Sequence, residues 1–175
     1  MRWKHFIGLF ASCVLAAPSI LISSAFAQAD PRIEKSMTSL KSLAAKLGAP
    51  RIKGSEAVAG KDAPALYFGT TKINNNFEVV DAIGKEDGKG MTATFFVRGG
   101  DEYIRVSTSV PKPDGTGRAI GTVLDPAGKV IISINKAEAF RGEVSILGVP
   151  YITGYEPIKD SSGKVMGIYY VGYPN

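Results

Sequence analysis

The chain has 175 residues, 21 of them basic and 16 acidic, for a net charge of +5, with one histidine and one cysteine. That length suits one domain able to bury its own core, and a single cysteine excludes a disulfide framework. The basic residues are dispersed among acids, which argues against a nucleic-acid-binding surface.

Arg2, Lys4 and His5 precede an apolar run from Phe6 to Ile22, followed by Ser23, Ser24, Ala25, Phe26 and Ala27. A basic start, an apolar segment and small residues at a cleavage site are the parts of a secretory signal peptide. The sequence therefore predicts a signal peptide over residues 1–27, cleavage after Ala27, and a periplasmic or secreted product. The alternative is an uncleaved anchor, although the run is interrupted by Pro18 and is close to the lower limit of about 17 residues for spanning a bilayer. Cys13 is a poor match to a lipoprotein site. No second apolar segment of spanning length follows.

Cys13, His5 and Trp3 all lie inside that segment. The exported chain then lacks the usual neutral-pH base, the thiol nucleophile and the common zinc ligands. Triads, Cys-His pairs and ordinary zinc sites drop out, so the expectation is a binding protein rather than an enzyme, with no cofactor and no metal.

Residues 28–63 are expected to be an N-terminal helix and connection, and 64–175 the main domain. Asp30-Pro31 is a helix start, with an N-cap acceptor and proline at the first helical position. Ile33, Met37, Leu40, Leu43 and Leu47 follow at helical spacing, and Gly48 and Pro50 end the run. Such a stripe has to dock, either across a sheet or on a second copy in a homodimer. Arg51 to Ala63 is polar and reads as a surface connection.

From Pro64 the pattern changes. Ala65 to Phe68 reads as a strand and Phe77 to Ile83 as a brief helix. Met91 to Val97 and Tyr103 to Thr108 read as a hairpin around Gly100-Asp101. The stretch from Pro126 to Lys136 is ambiguous: Val130, Ile131, Ile132 and Ile134 favour strand, while the length permits helix. Glu143 to Leu147, Val149 to Pro157 and Val165 to Val171 read as strands, with turns at Gly148 and at Asp160 to Gly163. Hairpins around an intervening helix predict an α+β domain with a central antiparallel sheet.

Register assigns faces. A symmetric turn at Gly100-Asp101 pairs Phe96 with Arg105 and Thr94 with Ser107. Ala93, Phe95 and Val97 then share the reverse face with Ile104, Val106 and Thr108. The turn at Ser161-Ser162 places Tyr151, Thr153 and Tyr155 on a face with Ile168 and Tyr170, and Ile152, Tyr169 and Val171 on the other. Each hairpin has one greasy face and one mixing aromatics with hydroxyls or guanidinium. That division suits a helix on one side of the sheet and a polar pocket on the other.

Three motifs mislead. Ser133-x-x-Lys136 and Ser161-x-x-Lys164 have the Ser-x-x-Lys spacing but lack the companion motifs. The glycines at 115, 117 and 121 lack the spacing and strand–loop–helix context of a dinucleotide loop. Gly99-Gly100-Asp101-Glu102 is similar to the start of the diguanylate cyclase signature, but an exported domain has no supply of GTP, and glycines here serve a hairpin tip.

Thr92 to Val97, Gly100-Asp101, Arg105 to Val110, Asp114-Gly115, Arg118 to Thr122, Ile146 to Gly148, Tyr151-x-Thr-x-Tyr-x-Pro-Ile158, Asp160 and Gly163-x-Val-x-Gly167 together resemble the single Cache domains of the Cache 3/Cache 2 fusion type. The resemblance runs from about Leu66 to Gly172, and the earlier helix fits the long N-terminal helix of such domains. It implies a PAS-like extracellular sensor fold: a central antiparallel sheet, the helix packed behind it and a pocket before it. It also implies small carboxylate ligands, and a membrane receptor or sensor kinase as partner. The chain stops at Asn175 without a signalling domain, which speaks against a cis-acting receptor. Where the family often has Gly-x-x-Tyr-x-Gly, this chain has Ala137-x-x-Phe140-x-Gly142, so a pocket hydroxyl is missing there.

The candidate ligand-binding residues are Phe96, Arg105, Arg118, Tyr151, Thr153 and Tyr155. Arg105 and Arg118 are the anion-recognising charges, because a guanidinium fork matches a carboxylate. Tyr151, Thr153 and Tyr155 are hydroxyl donors, and Phe96 is an apolar wall. The competing use is ordinary: the arginines extend to the surface or pair with acids such as Asp101 and Glu102, and the tyrosines fill a core. At the level of function, a small organic anion binder in signalling or ligand presentation competes with a structural or regulatory partner protein whose pocket is vestigial.

Overall fold

The computed structural model describes residues 30–175; the expected signal segment lies outside the described residues. Among the described residues no helix is long and apolar enough to cross a membrane.

Helix α1 (Pro31–Leu47) begins where Asp30-Pro31 predicts: the Asp30 side chain accepts from the Arg32 backbone N–H at 2.9 Å. Ile33, Met37, Leu40 and Ala44 form its buried edge, with Leu43 and Leu47 only partly covered. A Cβ at Gly48 would collide with the Gly69 backbone and one at Gly69 with the Leu47 carbonyl, so this glycine pair lets the helix end touch a turn.

The connection expected over 51–63 is instead a hairpin. Strands β1 (Pro50–Val58), β2 (Lys61–Phe68) and β3 (Thr71–Lys72) make a three-stranded antiparallel sheet in the order β1-β2-β3, and β2 runs through the expected boundary at 63/64. Ala59 and Gly60 both take positive φ, at 51° and 81°, the geometry of a two-residue hairpin turn. Most of β1 is exposed, so main-chain pairing with β2, not an apolar face, makes it a strand.

Helix α2 (Glu78–Glu86) buries Val80 and Ile83. The main sheet comprises β4 (Thr92–Gly99), β5 (Glu102–Thr108), β6 (Phe140–Ile146), β7 (Val149–Lys159) and β8 (Val165–Pro174), in the order β5-β4-β8-β7-β6 and antiparallel throughout. The ambiguous stretch is helix α3 (Lys129–Asn135), which buries Val130, Ile131 and Ile134. Burial at positions three and four apart overrides the strand propensity of its β-branched residues.

Phe96 faces Arg105 as expected, but a bulge between Phe95 and Phe96 shifts the rest of the pairing: Ser107 meets Phe95 and Thr108 meets Thr94. Thr108 thus changes face, and its hydroxyl lies 2.6 Å from that of Thr94. In the second hairpin the faces are as expected, with Tyr155 opposite Tyr170.

The sheet separates two cores. On one side Phe95, Val97, Ile104, Val106 and Val171 pack with α1, α2 and β2. On the other Phe96, Tyr151, Tyr155, Ile168 and Tyr170 pack with α3. The structure is therefore α+β, with α1 docked on a central antiparallel sheet in the PAS-like manner. Of the two docking modes open to the α1 stripe, the structure shows it on its own sheet, with Leu43 and Leu47 left partly covered.

Candidate functional site

The mixed faces of the two hairpins point the same way. Strand β4 supplies Phe96, β5 supplies Arg105, β7 supplies Tyr151 and Tyr155, and β8 supplies Tyr170. Residues 119–124 run beside β5 as an irregular strip: Arg105 donates its backbone N–H to Thr122 O at 2.9 Å, and Gly121 donates back to Arg105 O at 2.8 Å. This strip covers the side chain of Arg105, which is only 4% exposed.

The guanidinium lies over the Phe96 ring, 4.9 Å from its centre. One Nη donates to the Thr122 hydroxyl, which in turn donates to Ala119 O. Nε is buried without a partner. None of the ion pairs among the described residues involves Arg105. Burial pushes its pKa below the ordinary value, and the neighbouring Tyr155, Tyr170 and Tyr151 pull it part of the way back. A guanidinium nonetheless stays protonated in a protein. A buried cation costs several kcal/mol unless a counter-charge and hydrogen bonds compensate it, and here the chain supplies little of either.

Arg105 and Tyr155 line a cavity of about 520 Å³ with residues of α3, β6 and the segment before α3. Leu124, Val130, Val144 and Ile146 make much of its wall apolar, and Lys129 adds a second cation. Asp125 and Glu143 also line it, but each is engaged: Asp125 accepts from the Ala127 N–H at 2.9 Å, and Glu143 from the Asn175 amide at 2.6 Å. Tyr155 packs between Tyr170, tilted to it with ring centres 4.9 Å apart, and Phe140, edge-on with ring centres 6.2 Å apart. Burial pushes its phenol well up, against the pull of Arg105, so it is a neutral O–H donor. The Tyr170 hydroxyl is paired with Thr92 at 3.1 Å.

Of the six expected residues, the structure gathers four. Arg105 and Tyr155 line the cavity, Phe96 lies under the guanidinium, and Tyr151 is buried on the same face within the electrostatic reach of Arg105. Thr153 is on that face but donates its hydroxyl to Gly142 O at 2.7 Å, tying β7 to β6. Arg118 is elsewhere: it forks onto Asp81 of α2 at 2.7 and 3.0 Å, donates to Thr108 O at 2.9 Å and covers Phe77. It fastens α2 to the loop after β5. Neither Asp101 nor Glu102 takes either arginine. Sequence reasoning missed Thr122, in a strip without periodicity, and Lys129, at the start of the stretch whose strand or helix character it left open.

A larger groove, about 1040 Å³, opens elsewhere on the molecule. It contains no buried charge, and the Arg105 cavity is the better candidate because a desolvated, unpaired cation calls for a ligand of opposite sign. No metal-holding cluster of His, Cys, Asp or Glu occurs among the described residues.

Comparison with known proteins gives no match among curated proteins or solved structures. The family model described as the Cache 3/Cache 2 fusion domain, however, matches residues 18–175. Since that span takes in both the sheet and the helix behind it, the chain belongs to the Cache 3/Cache 2 fusion domain family, whose domains generally sense small molecules outside the cell.

Proposed function

We propose that this chain is an exported binding protein that holds a small organic anion, such as a short carboxylate, against Arg105 and serves signalling or ligand presentation to a membrane receptor or sensor kinase. The observation that carries this reading is the buried guanidinium of Arg105, which lines a cavity and has no carboxylate partner. In the proposed complex the anion takes the free N–H groups of Arg105, Tyr151 and Tyr155 donate to it, and Phe96 holds the guanidinium flat. Each charge-assisted bond contributes about 1.5–3 kcal/mol, so two or three support binding near −4 to −8 kcal/mol, roughly millimolar to micromolar. The chemistry is recognition, not turnover: histidine and cysteine occur only at His5 and Cys13. Export rests on the residue pattern over 1–27.

Isothermal calorimetry with acetate, propionate, pyruvate and lactate tests the site. Binding of at least one acid to the native protein, lost in Arg105→Ala, supports it; affinity unchanged in Arg105→Ala removes Arg105 from the site.

A second reading, a structural or regulatory partner protein with a vestigial pocket, draws on the exposed Ile132, Leu147 and Val149. A thermal-shift screen separates the two, since a ligand at a hundred times its Kd adds about 2.7 kcal/mol of stability. No stabiliser in a broad panel of metabolites favours the partner reading.

A further inference from the structure

The large groove lies between the start of β1, Pro64 of β2 and the ends of the β4–β5 and β7–β8 hairpins. Its lining has four cations, Arg51, Arg98, Lys159 and Lys164, against one acid, Asp160. That acid is folded into its own turn, where Oδ1 accepts from the backbone N–H groups of Ser162 and Lys164 at 2.8 and 3.0 Å. None of the four cations forms an ion pair among the described residues. Two are nevertheless held in position. The Arg51 guanidinium sits 5.5 Å from the centre of the Tyr67 ring, and Arg98 donates to Gly100 O at 3.1 Å.

Apolar side chains share the lining. Ile52 is 40% exposed, and Met166, Pro50 and Pro64 share the lining. Strand β1 is hydrogen-bonded only to β2, so its other edge carries main-chain groups unpaired by any strand among the described residues. An edge of this kind accepts an additional strand.

We propose that this groove docks an extended acidic segment of a partner protein, with aspartate or glutamate side chains on the four cations and intervening aliphatic side chains on Ile52 and Met166. Charge complementarity fixes the sign of the occupant, and a lining that mixes cationic with apolar side chains, on a strand with an open edge, fits an extended chain that presents both side chains and main-chain groups. A single small anion does not fit this description, because the charges are spread around an open groove rather than buried at a point. A membrane surface fits less well, because the apolar and cationic groups line a concavity.

The test is fluorescence anisotropy of the purified protein with a labelled ten-residue peptide of alternating aspartate and valine, beside a lysine–valine counterpart and vesicles of phosphatidylglycerol in phosphatidylcholine. The aspartate peptide is expected to bind, to weaken as salt is raised, and to lose about tenfold or more in affinity to the double variant Arg51→Glu, Lys164→Glu. Arg105→Met is expected to leave this binding intact. Three results overturn the proposal: no binding of the aspartate peptide or equal binding of the lysine peptide, no change on charge reversal, or capture by the vesicles without binding of the peptide. If the double variant is poorly folded, the salt titration on the native protein decides instead, and affinity that is indifferent to salt overturns the proposal.

Discussion

Arg105 is unusual for what surrounds it. Its guanidinium lies over Phe96 and donates to one hydroxyl, phenols lie nearby, no ion pair among the described residues reaches it, and one N–H is left over. A residue retained for stability would not be arranged so, because a buried charge without a partner lowers stability. Replacing it with an apolar side chain of similar length therefore separates the two uses. Arg105→Met is expected to raise the stability of the ligand-free protein by about 1–2 kcal/mol, read by urea denaturation, while abolishing carboxylate binding. A loss of stability in Arg105→Met would mean that the guanidinium holds the sheet and the 119–124 strip together. Arg118 provides the contrast: with Asp81, Thr108 O and Phe77 all engaged, its charge is already answered by the chain.

At the scale of elements, α1 is fixed to the sheet by a cluster at its open side as well as by its apolar stripe. Arg141 of β6 donates to Glu34 of α1 and to Glu156 of β7, and Lys41 of α1 reaches Glu156 at 2.6 Å. Burial favours the neutral form of Glu156, but the hydrogen bonds from Lys41 and Arg141 outweigh it and hold its pKa below the ordinary value. A carboxyl lowered in this way adds stability that is complete above its unfolded pKa, near 4.3, and is lost as pH falls through the lowered folded value. The midpoint of thermal unfolding is thus expected to drop between about pH 5 and pH 3, and Glu156→Gln to flatten that slope while costing stability at pH 7. An unchanged slope would assign acid sensitivity to other carboxyls, such as Glu56, whose pKa is lowered by Lys72.

Elements were legible wherever local chemistry and burial agreed. Asp30-Pro31 capped α1 as read, and the alternation in β4, β5, β7 and β8 sorted side chains to the correct faces, which is why Arg105, Phe96, Tyr151 and Tyr155 could be grouped in advance. The first hairpin was hidden because its strand is polar on both faces and its turn uses Ala59 where asparagine or aspartate is the usual signal. Thr108 was misassigned because a bulge leaves no mark in a short strand. The pairing of Arg118 with Asp81 was not legible because the two are 37 residues apart in the chain and only the docking of α2 brings them together. Thr122 belongs to a strip with no periodicity, so nothing local pointed to it.

For the molecule as a whole, the sheet acts as a partition. One core joins α1, α2 and the small sheet; the other is interrupted by the cavity. Ligand should therefore stabilise the protein unevenly. Hydrogen-exchange mass spectrometry with a bound carboxylate is expected to show slower exchange in α3, β6 and the 119–124 strip, with α2 and β2 little changed. Uniform protection across both cores would instead indicate that ligand acts on global unfolding alone.

Strand β6 has a double attachment. Glu143 to Ile146 border the hollow beside Arg105, while Arg141, two residues earlier, grips the first turn of α1 through Glu34. In the proposed complex the strand that borders the ligand is thus the strand that Arg141 ties to α1, so Arg141→Ala is expected to loosen the start of α1 in hydrogen exchange and, if the two ends of β6 are coupled, to weaken carboxylate binding as well.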